Sequence, residues 1–406
     1  MAHIQDRWMR PAKDENGRVI TDSRGRIKRE KSPLWGKGKR YKVRYIDPEG
    51  NERSESFPDG HKQEAENFLY SVETDKLKGR YVDPQKGEEM FRSVATRWLD
   101  SRTFEESTRE AVVLRLNIHI FPRLGNMMIK DVRPSTIQSW LRGLQESGLA
   151  TSYRRVLFVH VSSIFSYAVD DEIITKNPCS AKSVDRPSAS AEKVEPWTEG
   201  VMFSVRESIG ERYRVGVDLG SGCGLRQGEV FGFSPDDRTD DGHIIVRRQV
   251  KYVRGKLVFA PPKGAKTRKV PLPDSINKNI DDHVVTHGAP SVTLPWIDPD
   301  KGEMVTVKLL VTNKSGGALI RPSFNSCIWK PALRAAGLES PTRADGFHAL
   351  RHFYASVLLD AGESVRALSE YLGHSDPGFT LKVYTHLMPS SQARTQGAVD
   401  IVFGRH

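Results

Sequence analysis

The most constraining feature of this chain is an interruption. From Ser180 to Pro196, serine, alanine, lysine, glutamate and proline follow one another with no hydrophobic period, which reads as a linker. Cores must therefore form separately on either side of it. The 406 residues suffice for two or three domains at roughly 100–200 residues each. The expected division is a basic domain over 1–85, a helical domain over 86–178, a linker over 179–196 and a chemistry-bearing domain over 197–406. Hydrophobic residues make up 37% and charged residues 28%, polar for a globular protein but sufficient to bury real cores. No internal repeat and no low-complexity tract stands out.

Local patterns fill in the segments. Between Arg24 and Arg44 ten Lys/Arg face a single acid, Glu30. Tyr41 to Ile46 alternates in the strand manner, Asp47-Pro-Glu-Gly50 signals a turn, and Arg53 to Phe57 supplies a second strand. His61 to Lys78 reads as a helix with Ala65, Phe68, Leu69 and Val72 as its buried stripe. Phe91, Val94, Ala95, Trp98 and Leu99 open the helical block at a 3.6-residue period. Ser107 with Glu110 resembles a capping box for a second helix. A third helix starts at Pro134 and stops near Gly148, and a fourth runs from Thr151 to Asp170. The fold class is multidomain and mainly α with small β-sheets: a small basic α+β start, a helical domain, and an α+β domain after the linker.

The formal net charge of +11 favours an anionic partner, nucleic acid before an acidic membrane surface. Cys179, Cys223 and Cys327 are widely separated, so neither a zinc site nor a disulfide scaffold is expected, and a reducing cytoplasm fits. The start lacks a signal-peptide pattern, and no run approaches the roughly 18 apolar residues of a membrane helix.

Four motifs carry chemistry, all after the linker. Gly224-Leu-Arg226-Gln-Gly-Glu229 places Arg226 at a turn into a helix. Pro262-Lys263-Gly-Ala-Lys266-Thr-Arg268-Lys-Val-Pro-Leu272 puts Lys263 on a loop among strands read over Val246–Val253, Lys256–Phe259 and Val270–Leu272. His348-Ala-Leu-Arg351-His352 sets His348 and Arg351 on one helix face. Leu372-Gly-His374 is followed by Thr380 and Tyr384-Thr-His386. Taken singly, each has a plain alternative: helix electrostatics for Arg226 and Glu229, a solvated basic turn for Lys263, a metal pair or a polar helix start for His348, a structural tyrosine for Tyr384.

Together, their order and spacing resemble the tyrosine recombinase family, which includes the phage integrases. The resemblance is close from about Trp197 to Leu387. It implies an active-site set of Arg226, Lys263, His348, Arg351 and His374, with Tyr384 as nucleophile and Glu229 and His352 in support. It also implies that the helical block is a core-binding domain that clamps duplex DNA together with the catalytic domain, and that the basic start is similar to the arm-binding domain of integrases. The implied activity is site-specific integration and excision of a phage or other mobile element, by a homotetramer on double-stranded DNA at attachment sites. An excisionase and a host DNA-bending protein are usual companions, and the expected location is the cytoplasm, at the nucleoid. A type IB topoisomerase, a catalytically inactive DNA-binding protein, and an invertase or dimer resolvase are the competing readings. The basic start and the intact residue set favour an integrase.

The residue types suit transesterification at a phosphodiester. Arg226 and Arg351 can hold the non-bridging oxygens, and His348 and His374 add donors. Preorganised cations of this kind take the place of metal ions, so no metal and no cofactor are expected. A tyrosine titrates near 10. The surrounding cations should lower that value, with His348 taking the proton and Lys263 protonating the leaving 5′ oxygen. Tyr371 sits in an apolar helical run, whereas Tyr384 falls ten residues after His374, near the spacing of the family the chain resembles, and the resemblance therefore implies Tyr384 as the nucleophile.

Overall fold

The computed structural model describes residues 2–79, 81–83, 86–188, 195–374, 376–384 and 403. Tertiary contacts divide the chain into two compact units, Met1–Phe104 with Ala111–Ala189, and Glu105–Glu110 with Ser190–His406.

The first unit holds two separate cores. In the smaller one, the strand Tyr41–Ile46 lies between His3–Asp6 and Glu52–Phe57, antiparallel to both. Its alternation turns Tyr41, Val43 and Tyr45 inward, where they meet Ala65 and Val72 of the helix Lys62–Leu77. The stripe read from the sequence is the packed one. The first strand, His3–Asp6, was not foreseen. It and its partner are separated by a long excursion in which Met9–Pro11 pairs with Arg29–Lys31.

That excursion also corrects the statement that no repeat is present. Lys13-Asp14-Glu-Asn-Gly17-Arg18-Val19 and Thr21-Asp22-Ser-Arg-Gly25-Arg26-Ile27 share one pattern and fold into the same loop. In each, the aspartate carboxylate accepts two backbone N–H groups, from Asn16 and Arg18 in one loop and Arg24 and Arg26 in the other. Only Asp, Gly and Arg recur letter for letter, too few to stand out along the chain.

The larger core is helical. Helices Phe91–Asp100, Pro134–Glu146 and Thr151–Asp170 enclose Phe91, Trp98, Trp140 and Phe165. Buried indole N–H groups find partners, Trp98 on Ser163 Oγ at 3.2 Å and Trp140 on the His119 carbonyl at 2.9 Å. The helix Glu106–Arg115 begins before Ser107, so Ser107 lies inside its first turn and not at the cap.

The second unit mixes short sheets with helices. Arg268–Pro271 and Arg238–Thr239 flank His243–Val246 in one antiparallel sheet. Gln249–Val253 and Lys256–Ala260 form a separate hairpin, so the single strand read over Val246–Val253 breaks at Arg247 and Arg248. Arg248 leaves the ladder to donate to the buried carboxylate of Asp237. Helices Glu211–Gly222 and His348–Asp360 bring Leu219 and Leu350 into the main core. A small satellite cluster of Tyr354, Leu359, Leu368, Leu372 and Tyr384 carries the last helices, Val365–Leu372 and Pro377–Tyr384. The architecture is the multidomain, mainly α arrangement with small sheets. Among the described residues no helix is long and apolar enough to cross a membrane.

Candidate active site

The site forms where three chain turns converge on one buried guanidinium. Arg351 lies one turn into the helix His348–Asp360 and is 1% exposed. Its Nη1 donates to the Gly224 carbonyl at 2.7 Å, and its Nη2 donates to the Leu372 carbonyl. Those two carbonyls belong to the Arg226 and His374 motifs, so Arg351 ties them together. Its Nε–H is buried and, among the described residues, has no hydrogen-bond partner. Burial pushes Arg351 down to about 9, helped by the neighbouring charges of Arg226 and Arg268 and opposed by Glu229.

Two glycines make the approach possible. Gly224 has φ +64°, and a Cβ there would fall 2.5 Å from the Tyr354 ring. Gly373 ends the helix Val365–Leu372 at φ +62°, and a Cβ would stand 2.9 Å from Arg268 Cδ.

Glu229 organises the cations from below. Its carboxylate accepts from the Arg226 backbone N–H at 2.9 Å and from Arg226 Nη1 at 3.0 Å. Arg268 adds a paired contact, Nη1 at 2.9 Å and Nη2 at 2.6 Å, and its Nε donates to the Tyr371 carbonyl. Burial would raise the Glu229 carboxyl, but Arg268 and then Arg226 outweigh it and hold the group at about 2. In the sequence Arg268 stands in the Lys263 motif with no role assigned to it. The signal was parity: it shares the inward face of its strand with Val270, while Lys269 points out.

The histidines divide the remaining work. His374 Nε2 lies 3.1 Å from Arg351 Nη2, a pure donor, so Nε2 accepts and the ring proton sits on Nδ1. Nδ1 is 2.7 Å from Oγ1 of Thr380, a buried side chain whose part the sequence left open. Burial, then Arg351 and Arg226, lower His374 to about 4. Thr380→Val removes this oxygen at nearly constant shape. The expected cost is about 1–3 kcal/mol of stability, read by urea denaturation, and a misoriented His374.

His348 is exposed, with its ring centroid 4.7 Å from that of His352. Crowding by protein atoms lowers it first, followed by the charges of His352 and Arg351, although its open face lets solvent screen part of that repulsion.

Tyr384 is 2% exposed, and its hydroxyl lies 2.8 Å from His352 Nδ1. Two expectations are corrected here. The phenol meets His352 and not His348. Its titration is also raised, to about 12, because burial outweighs the pull of Arg351 and Arg226. His352 is lowered to about 4, by burial and then by Arg351, and is neutral at physiological pH. Arg226, His348, Arg351, His374 and Tyr384 are thus brought together. Lys263 stands apart, exposed in the turn before Arg268–Pro271, and among the described residues no hydrogen bond or ion pair joins it to the cluster. Among the described residues no group of three or more His, Cys, Asp or Glu side chains could hold a metal ion.

Comparison with known proteins follows the same lines. Residues 201–390 match the model described as Phage integrase family, and residues 91–183 match Phage integrase central domain. The chain is 30% identical over 301 residues to a tyrosine recombinase XerC-like protein of Caldanaerobacter subterraneus subsp. tengcongensis, covering 69% of this chain and 74% of the relative. It is 24% identical over 291 residues to the integrase of Mycobacterium phage D29, covering 70% and 72%. The Tn1549 transposon integrase, solved in complex with circular intermediate DNA, superposes with a TM-score of 0.63 at 20% identity over 76% of this chain and 99% of that one. A lambda integrase tetramer bound to a Holliday junction gives a TM-score of 0.56 at 16% identity, over 86% and 92%.

Proposed function

The chain belongs to the phage integrase family of tyrosine recombinases, enzymes that cleave and rejoin DNA, and from that premise we propose a site-specific integrase that works through a 3′-phosphotyrosine at Tyr384. Its role is to integrate and excise a phage or other mobile element. The observation that carries the site assignment is the orphan Nε–H of Arg351. A buried cationic donor without an acceptor is costly, and a phosphate oxygen is the acceptor that completes it.

Arg351 and Arg226 then hold the non-bridging oxygens, with His348 and His374 beside them. The Tyr384 oxygen attacks phosphorus as its proton passes to a neutral histidine, His352 being the one within hydrogen-bond reach. The bond from phosphorus to the 5′ oxygen breaks, and Lys263 protonates that oxygen once its turn closes over the DNA. Attack by a 5′ hydroxyl reverses the sequence and releases Tyr384. The phosphotyrosine conserves the bond energy, so no nucleotide cofactor enters.

The segment 1–85 is read as an arm-type DNA-binding domain, 86–178 as the core-binding domain, 179–196 as the linker and 197–406 as the catalytic domain. The partners are double-stranded DNA at attachment sites and further copies of the chain in a homotetramer at the nucleoid. An excisionase and a host DNA-bending protein complete the set.

The test is a nicked duplex bearing the element's junction, incubated in EDTA. The expected result is a protease-sensitive covalent adduct, unaffected by chelation, whose modified peptide contains Tyr384. Tight binding with no adduct on any junction DNA would leave a site-marking DNA-binding protein. Relaxation of supercoiled DNA lacking a junction would favour the topoisomerase reading.

A further inference from the structure

The excursion between the first two strands does something the small sheet does not. From Arg7 to Arg40 there are twelve Lys/Arg and four Asp/Glu, a net +8 out of +11 for the whole chain. Yet this segment builds almost no core. Ala12 is buried, and every residue from Lys13 to Lys31 is exposed, Val19, Ile20 and Ile27 included.

Backbone groups hold it in shape instead. Ala12, Ile20 and Lys28, eight residues apart, close a ring of peptide hydrogen bonds. Ile20 N–H donates to the Ala12 carbonyl at 2.9 Å, Lys28 N–H to Ile20 at 2.9 Å, and Ala12 N–H to Lys28 at 2.8 Å. The two repeated loops hang from this ring, each locked by its aspartate and by a glycine, Gly17 at φ 77° and Gly25 at φ 76°. At the base, the Trp8 indole N–H donates to the Lys37 carbonyl, and Lys31 lies over the Trp35 ring. The repeat places Arg18 and Arg26 at equivalent positions just after the glycines.

Those side chains are unspent. Arg10 pairs with Glu30 and Arg40 with Asp6 and Asp59, but among the described residues Lys13, Arg18, Arg24, Arg26 and Lys28 have no side-chain partner. Cations crowded within about one Debye length repel one another, and a polyanion relieves that repulsion. The exposed β-branched residues between them suit contact with the sugar edges of a groove.

We propose that residues 7–40 form a second DNA grip, a preformed basic prong that lies along the phosphate backbone of duplex DNA, separate from the three-stranded sheet it interrupts. The proposal deepens the arm-type reading of 1–85 and rests on it in naming duplex DNA as the polyanion.

The test compares the full chain with an R18Q/R24Q/R26Q variant on a long mixed-sequence duplex, by fluorescence anisotropy across a salt series. The log–log slope of affinity against salt should become shallower by roughly 2–3, and affinity near ~0.1 M salt should fall about tenfold or more. R18K/R24K/R26K should restore the slope, because phosphate contacts ask for charge and not for a guanidinium fork. An unchanged slope and affinity in a folded glutamine variant overturns the proposal. So does a change in oligomeric state with DNA binding intact, which would assign the prong to a protein partner. The salt slope stays readable even if the wild type forms no adduct, so failure of the recombinase reading and failure of the prong are told apart.

Discussion

Tyr384→Phe should bind junction DNA like the wild type and form no covalent adduct with it, a loss of at least about 10⁴-fold in the rate of attachment. The hydroxyl is the only group removed, and its oxygen is the atom that would bond to phosphorus. Folding should survive the change. The ring stays in its small cluster with Leu368 and Leu372, and the lost hydrogen bond to His352 costs about 1 kcal/mol. A thermal melt close to that of the wild type would therefore accompany a gel with no adduct band. Tyr371→Phe is the control, since that residue contributes its backbone carbonyl to Arg268 and should keep its activity. An adduct formed by Tyr384→Phe at the wild-type rate would remove Tyr384 as nucleophile and reopen the search among the remaining tyrosines.

Glu229→Ala should cost more stability than any other single change in the site, about 3–5 kcal/mol by urea denaturation at neutral pH. The carboxylate is 1% exposed and accepts from both Arg226 and Arg268, so its removal leaves Arg268 buried and uncompensated. Arg226 would also lose the contact that aligns it, and adduct formation should fall with it. Glu229→Gln keeps the shape and separates charge from packing.

The pH dependence has a definite sign. Glu229 titrates near 2 in the folded protein against an ordinary 4.5. Its contribution is complete above about 4.5 and is lost as the pH falls toward 2, so the gap between wild type and Glu229→Gln should narrow over that range. An earlier acid effect comes from His352 and His374, held near 4 against an ordinary 6.5. Between those values the unfolded chain takes up protons that the folded site refuses, and stability falls as the pH drops from 6.5 to 4. A wild-type to Glu229→Gln gap that stays constant through the acid range would show that the carboxylate's charge is not what holds the arginines.

The candidate site was legible in the sequence to the extent that its members announce themselves locally. His348 and Arg351 share a helix face because they are three apart and Arg226 stands at a helix start beside Glu229, while the family resemblance in order and spacing is what joined the motifs and set Tyr384 apart from Tyr371. The helices of the large core were legible for the same reason, since burial writes a 3.6-residue period into the chain. What needed the tertiary structure were pairings between distant positions. Arg268 meets Glu229 across 39 residues, and His352 meets Tyr384 across 32. The ring of Ala12, Ile20 and Lys28, spaced eight residues apart, uses only backbone N–H and C=O groups, which almost every residue carries and no sequence displays. The titration of Tyr384 was decided there as well. Composition gives the number of cations around a phenol, but desolvation depends on how deeply the phenol is buried, and here burial outweighs the cations.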